Sequence, residues 1–348
     1  MVTAAAVTTA NPLQVAIRRI ASGESLNAEL ATEAFGTVMR GEGTAAQIAA
    51  LLIGLRVKGE TADEVTGAAR ALRAAMVHLP VSNQGDLVDT CGTGGDGGAT
   101  FNISTVAAFV IAGAGVRVAK HGNRSLANRC GAADLMESLG VRISLEPVEM
   151  ARAIEEVGIA FLFAPAIHTA MKHAQPVRID LKMRTVFNLL GPLTNPAGAT
   201  AQLVGAPSEI AAELMAGALA ELRLPRGFVV HGSDGLDEVT TTGPTLAFEL
   251  TGKKIERRCL EPGMFGVPVA KLEDLRGGEI ETNRDIALSI LSREKGPRRD
   301  IVLVNASVAL VAAGRARDFL EGMALAAASI DTGAARKKLD ELVRFTAG

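Results

Sequence analysis

The sequence predicts an α/β protein: a small all-helical N-terminal domain, then a large domain with a mainly parallel central sheet flanked by helices. Three observations predict it. Residues 13–78 carry apolar residues at helical spacing throughout. From residue 85 onward, short apolar runs alternate with helical stretches, which implies a parallel sheet with helices on both faces. Where that second pattern begins, apolar Leu87 and Val88 run into Gly92, Gly94, Gly95, Gly97 and Gly98, five glycines in seven residues. No packed core needs that density; each missing Cβ lets main-chain N–H groups approach a ligand and permits positive φ. The expected boundary follows: residues 1–82, joined by part of 170–198, form the helical domain and 83–348 the α/β domain.

In chain order, Leu13, Ile17 and Ile20 make one apolar stripe and Leu30, Ala34 and Val38 another, with two more helices over 47–57 and 63–76. Asn27 and Thr61 stand where N-caps belong, and 41–43 and 58–60 are breaks. Strands are predicted over 87–90, 116–119, 159–163, 202–205 and 227–231, with antiparallel additions over 245–250 and 254–259. The polar residues Thr100, Asn102, Ser104 and Thr105 are read as caps of a helix through the apolar 106–113. Helices over 285–293, 299–313, 315–329 and 334–345 finish the chain. The stretch between Pro176 and Pro196 is unusual, framing Arg178, Arg184, Asn188 and a Gly-Pro-Leu-Thr-Asn-Pro turn.

Composition excludes several classes. A formal net charge of −2 over 348 residues gives no global support for nucleic-acid binding. With 11 Phe and no Tyr or Trp, base-stacking platforms are not expected. Cys91, Cys130 and Cys259 lie too far apart for a metal knuckle or a disulfide framework, which fits a reducing cytoplasm. The N-terminal residues lack the pattern of a signal peptide. The apolar runs near 103–113 and 301–313 fall short of the roughly 20 residues of a membrane span.

Four constellations carry chemistry. Strand, glycine turn and helix N-terminus together form an anion site, phosphate being the usual anion. Gly92-x-Gly94-x-x-Gly97 also fits the dinucleotide fingerprint, but the acidic residue expected about 20 positions on is missing. A basic cluster, Lys120, His121 and Arg124 with Gly122, Asn123 and Ser125, stands there instead and argues for a highly phosphorylated ligand. No Gly-Lys-Ser/Thr follows, so this is not a P-loop. The third constellation is the loop after residue 231, where Asp237 and Glu238, with Asp234 nearby, suit a hard cation such as Mg²⁺. The plain alternative, an acidic turn, loses ground beside a phosphate site, because pyrophosphate chemistry needs charge compensation. Fourth, Arg178 can offer a bidentate fork to a carboxylate. Among the histidines, His121 and His168 are the better pocket candidates.

Together these motifs resemble the anthranilate phosphoribosyltransferase family, of the nucleoside phosphorylase/phosphoribosyltransferase superfamily. The resemblance runs from the helical domain through residues 92–96, 120–125, the Phe-Asn-Leu-Leu-Gly-Pro-Leu-Thr-Asn-Pro stretch of 187–196, and 234–238. Pyrimidine nucleoside phosphorylases share the architecture and a Lys-His-Gly-Asn-Arg stretch, but the 188–196 turn and the acidic loop favour the anthranilate family. The resemblance implies Mg²⁺-dependent transfer of 5-phosphoribosyl from phosphoribosyl pyrophosphate (PRPP) to the amine of anthranilate, in tryptophan biosynthesis. It assigns PRPP to Gly92, Gly95, Asp96, Thr100, Asn102, Ile103, Ser104 and Thr105. It adds Lys120, His121, Gly122, Asn123, Arg124, Ser125, Leu126, Ala127, Asn128 and Ala132. Anthranilate falls to Gly92, Asn123, Arg178, His121 and His168, and metal to Ser104, Asp237 and Glu238, with two magnesium ions per subunit. It also implies a homodimer through the helical domain, in the cytoplasm, with no membrane or nucleic-acid partner. Where the family usually has a Ser-Ser pair, this chain has Ala127-Asn128.

The chemistry is consistent with that assignment. PRPP carries a 5′-phosphate and a pyrophosphate, which calls for two anion-binding loops. Anthranilate's aromatic amine is neutral in ordinary buffer, so positioning outweighs general-base catalysis. A non-catalytic nucleic-acid-binding relative would need a strongly basic surface and a degraded acceptor site; the net charge and Arg178 oppose it.

Overall fold

The computed structural model describes residues 11–82, 86–94, 100–124 and 130–348. The chain begins with α1 (Pro12–Ala21), α2 (Ala28–Met39), α3 (Ala45–Lys58) and α4 (Ala62–Ala75). Next come β1 (Leu87–Asp89), α5 (Ile103–Gly113), β2 (Arg117–Gly122), α6 (Ala132–Ser138), α7 (Pro147–Glu156), β3 (Ile159–Phe163) and α8 (Ala164–Ile167). Two short helices, α9 (Gln175–Leu181) and α10 (Phe187–Leu190), precede β4 (Ala201–Gly205), α11 (Glu209–Glu221) and β5 (Arg226–Gly232). The hairpin β6 (Thr245–Thr251) and β7 (Lys254–Leu260) leads into α12 (Ile280–Leu291), α13 (Pro297–Ala312), α14 (Phe319–Asp331) and α15 (Ala334–Ala347). These elements form two compact units: Met1–Met76 with Thr169–Leu190, and Val77–His168 with Gly191–Gly348.

The first unit is all helical. Asn27 caps α2 by accepting from Leu30 N, and Thr61 caps α4 in a reciprocal box with Glu64. Glu64 is fully buried and answers three donors: Leu26 N, Thr61 N and the Lys58 ammonium at 3.0 Å. The α2 and α4 backbones approach closely at Gly67, where a Cβ would lie 2.5 Å from that of Ala31. Phe35 of α2 meets Phe187 of α10 edge-on, ring centroids 5.7 Å apart.

The second unit is built on a seven-stranded sheet in the order β3-β2-β1-β4-β5-β6-β7. β1 to β5 run parallel; β6 and β7 are antiparallel additions. Helix α5 is apolar all round and buried along nearly its whole length, packed by α13, α14, α15 and β2. Three boundaries differ from the sequence expectation. β2 does not stop at 119 but continues to Gly122, because it pairs with β3 as far as Gly122 opposite Phe163. α14 starts at Phe319, where Asp318 accepts from Glu321 N at 2.8 Å, so 315–318 is a turn and not the helix start. α12 begins at Ile280, five residues earlier than its apolar stripe suggests. Among the described residues, no helix is long and apolar enough to cross a membrane.

Candidate active site

The sheet order creates a switch point: from β1 the chain crosses to β2 on one side, while β4 lies on the other. Ligands of open α/β sheets bind in the crevice outside the carboxyl ends of such strands. Here the glycine turn follows β1 and Gly205 ends β4, joined by Thr93 N donating to Gly205 O at 3.0 Å. Gly94 adopts φ +63°, open to L residues only with strain, and nothing lies where its Cβ would be. A Cβ on Gly205 would collide with the Asp237 carbonyl, so the acidic loop rests directly on the end of β4.

That loop is braced from below. Asn305, fully buried on α13, accepts from Val239 N and donates to Val239 O, both at 2.9 Å. Asp234 accepts from the hydroxyls of Thr240 and Thr242 at 2.5 Å each and from Leu236 N, so it is a loop brace. The next two carboxylates reach back across the crevice. Asp237 Oδ2 accepts from Gly94 N at 2.8 Å, and Glu238 Oε1 accepts from Ser104 N, in the first turn of α5, at 3.2 Å. Asn102 stands at the N-cap position of α5 but makes no side-chain cap bond. Its amide instead donates to Cys130 O at 3.1 Å and its oxygen accepts from Asn283. The helix that the sequence expects to cap itself is thus served at its first turn by a carboxylate 134 residues away. Ser104, Asp237 and Glu238 form an all-oxygen donor set, which fits a hard divalent cation.

Lys120 and His121 are strand residues, and this explains their burial, 2% exposed each. The Lys120 ammonium donates to Thr90 O at 2.5 Å and to Ser104 Oγ at 3.3 Å, tying the glycine turn to the start of α5. His121 Nδ1 lies 3.1 Å from Gly191 O, and a carbonyl only accepts, so Nδ1 carries the proton. Its Nε2 then accepts from His168 Nε2–H at 3.2 Å, which leaves His168 Nδ1 a buried acceptor without a partner among the described residues. Burial, with His168 alongside, pushes His121 down to about 3; burial takes His168 to about 4. Both rings are therefore neutral at ordinary pH.

Beneath them lies Asp89, fully buried at the end of β1. Burial lifts its carboxyl to about 6, against the Lys120 ammonium and hydrogen bonds from Asn195 and His121. Asp89, Cys91 and His121 bring one potential metal ligand each within 4.8 Å of one another. They do not fit a cation: both Asp89 oxygens already accept hydrogen bonds, Lys120 is adjacent, and burial pushes the Cys91 thiol upward.

Of the residues singled out in the sequence, the second unit therefore joins Gly92, Ser104, Lys120, Asp237 and Glu238 through direct contacts, with Asn102 alongside at the head of α5. Thr100 bridges to Arg276, and Ile103 and Thr105 are buried in the first turn of α5. A Cβ on Gly122 would strike the Phe161 ring. Asn123 O accepts from Ala133 N, seating the start of α6 at Ala132. Arg124 turns to that helix, pairing with Asp134 and Glu137 at 2.6 Å each. Arg178 belongs to the first unit, half-buried on α9, its guanidinium 5.5 Å from the Phe187 ring centre. Gly95, Asp96, Ser125, Leu126, Ala127 and Asn128 lie outside the described residues. Sequence reasoning missed Asp89, Thr90 and Asn305. A carboxylate closing an apolar strand just before the glycines was the signal for Asp89.

Comparison with known proteins agrees with this geometry. The chain matches the glycosyl transferase family helical bundle domain over residues 14–76 and the a/b domain of that family over 84–336. It is 63% identical to anthranilate phosphoribosyltransferase of Solibacter usitatus over 332 residues, covering 95% of this chain and 98% of the relative. The Moorella thermoacetica enzyme of that name is 52% identical, covering 96% and 98%. Among solved structures, anthranilate phosphoribosyltransferase from Thermus thermophilus superposes with TM-score 0.90 at 43% identity, covering 96% of this chain and 99% of that one. The Saccharomyces cerevisiae enzyme, solved in complex with PRPP and Mg, gives TM-score 0.89 at 27% identity, covering 97% and 99%. With a helical domain, a switch-point crevice and these likenesses in agreement, the chain belongs to the anthranilate phosphoribosyltransferase family.

Proposed function

We propose that the chain transfers the 5-phosphoribosyl group from PRPP to the amine of anthranilate, giving N-(5-phosphoribosyl)anthranilate and pyrophosphate, the second step of tryptophan biosynthesis from chorismate. The bond from C1′ to the pyrophosphate oxygen breaks, a C1′–N bond forms, and the amine gives up one proton. One observation carries the reading: at the β1/β4 switch point, the glycine turn, the α5 N-terminus and the Asp237–Glu238 pair are bound to one another. The positive end of the α5 dipole beside the glycine turn favours a pyrophosphate there, and Lys120 supplies positive charge below it. Magnesium held by Ser104, Asp237 and Glu238, two ions per subunit as the resemblance implies, supplies the remaining counter-charge to the leaving group. On the resemblance alone, the anthranilate carboxylate is assigned to Arg178, and the other acceptor contacts to Gly92, Asn123, His121 and His168. The relatives support the substrates: the yeast enzyme was solved with PRPP and Mg, and also with 4-fluoroanthranilate. The protein works as a cytoplasmic homodimer through its helical unit. Incubation with PRPP, Mg²⁺ and anthranilate should quench anthranilate fluorescence, with loss of turnover on chelation and recovery on adding Mg²⁺. Heat of binding with NAD and none with Mg-PRPP in calorimetry would sink the reading.

A further inference from the structure

The end of β2 poses a problem in backbone accounting. In a parallel ladder, successive N–H groups alternate between the two neighbouring strands. Val118 N donates to Gly158 O on the β3 side, so His121 N, three residues on, points toward β1. But β1 is only three residues long and pairs with β2 only at Leu87–Arg117 and Val88–Val118 before its chain leaves for the glycine turn. Ala119 O and His121 N would be left in a dry interior without a main-chain partner. Two side chains replace it. Asp89 Oδ1 accepts from His121 N at 3.1 Å, and Asn195 Nδ2 donates both to Ala119 O at 2.9 Å and to Asp89 Oδ2 at 2.8 Å. This patch keeps β2 regular through Lys120 and His121, and it places a fully buried carboxylate beside the equally buried Lys120.

We propose that Asp89 is a positioning residue for the phosphoribosyl transfer: its carboxylate completes the β2 ladder and fixes the place of the Lys120 ammonium beneath the glycine turn. The inference rests on the reading above, in which Lys120 compensates the leaving pyrophosphate. Asp89 touches no substrate itself; it acts through Lys120, whose ammonium in turn holds Thr90 O and Ser104 Oγ.

Asp89→Asn is the informative change, because it preserves volume. The new side-chain oxygen still accepts from His121 N, but its NH₂ meets the NH₂ of Asn195, donor against donor, and the negative charge facing Lys120 is gone. The test is a cycle of Asp89→Asn, Lys120→Met and the double variant, reading kcat/KM for PRPP, Mg-PRPP affinity by calorimetry, and the unfolding midpoint. Asp89→Asn should unfold cooperatively yet lose about tenfold in kcat/KM for PRPP. In the Lys120→Met background the same change should add less than about twofold, since its route is already cut. A merely structural Asp89 would lower both backgrounds equally, and such additivity overturns the inference. So does an Asp89→Asn enzyme within about twofold of the wild type. Lys120→Met without effect on PRPP removes Lys120 from the proposed reaction and the inference with it. A crippled Lys120→Met enzyme with an additive cycle overturns the inference alone. Should Asp89→Asn fail to fold, the double variant decides: folding with Lys120→Met behaviour supports the charge pairing, and failure to fold overturns it.

Discussion

A charged side chain in a dry interior demands partners: Lys120 finds Thr90 O and Ser104 Oγ, and Asp89 finds His121 N and the Asn195 amide. Residue identity alone suggested Lys120 as a loop cation reaching outward for phosphate. Its burial places it instead under the glycine turn, where it supports the amides from beneath. Arg178 is the opposite case: burial pushes its guanidinium below the ordinary arginine range, and among the described residues its side chain meets the Phe187 ring and Gln175 at 3.4 Å. A guanidinium stacked this way is oriented before a ligand arrives. Arg178→Ala should therefore raise the KM for anthranilate far more than that for PRPP. A lost charge-assisted contact is worth about 1.5–3 kcal/mol, or roughly tenfold to a hundredfold. Steady-state kinetics with each substrate varied in turn measures this, and equal losses for both would take Arg178 out of the acceptor site.

At the scale of elements, the strands and helices were legible because apolar period and turn residues are local signals. The Asn27 and Thr61 caps stand where the sequence places them. The errors came where distant residues intervene. β2 is longer than its apolar run because β3 pairs with it to the end, and the α5 N-terminus is served by Glu238 instead of its own Asn102. The acidic loop is likewise held by a distant residue, Asn305, through both main-chain groups of Val239. Asn305→Ala leaves those groups buried and unanswered, at a cost of about 1–3 kcal/mol. Its unfolding midpoint in urea should fall accordingly, and the Mg²⁺ concentration for half-maximal activity should rise as Asp237 and Glu238 lose their fixed place. An unchanged magnesium dependence would show that Gly205 alone seats the loop.

For the whole molecule, the buried titratable groups set how stability follows pH. His121 and His168 are depressed from 6.5 to about 3 and about 4, so the unfolded chain takes up protons first on acidification. The stability they contribute is present above pH 6.5 and is lost as pH falls toward those values. Asp89 acts in the opposite sense: raised from 3.8 to about 6, its contribution is present at low pH and is lost as pH rises through 6. Between about pH 6 and 4 the two histidines outweigh the one aspartate by about one proton, so stability should drop by about 1.4 kcal/mol per unit of acidification. Denaturant titrations from pH 7 to 4 measure the slope, and His168→Phe should nearly flatten it; a wild type with no slope would contradict the burial of the pair. By itself, the sequence determined the two-part architecture, the glycine turn after the first strand, the basic and acidic clusters, and the family, because each rests on local period or on residues adjacent in the chain. Only the tertiary structure decided that Asp89 and Asn195 complete the end of β2 beside the buried Lys120, that Asp237 and Glu238 bind the amides of the glycine turn and α5, and that Asp234 and Arg124 are engaged elsewhere. Those facts depend on which strand ends lie side by side across the switch point, and contacts between residues more than a hundred positions apart leave no periodic trace along the chain.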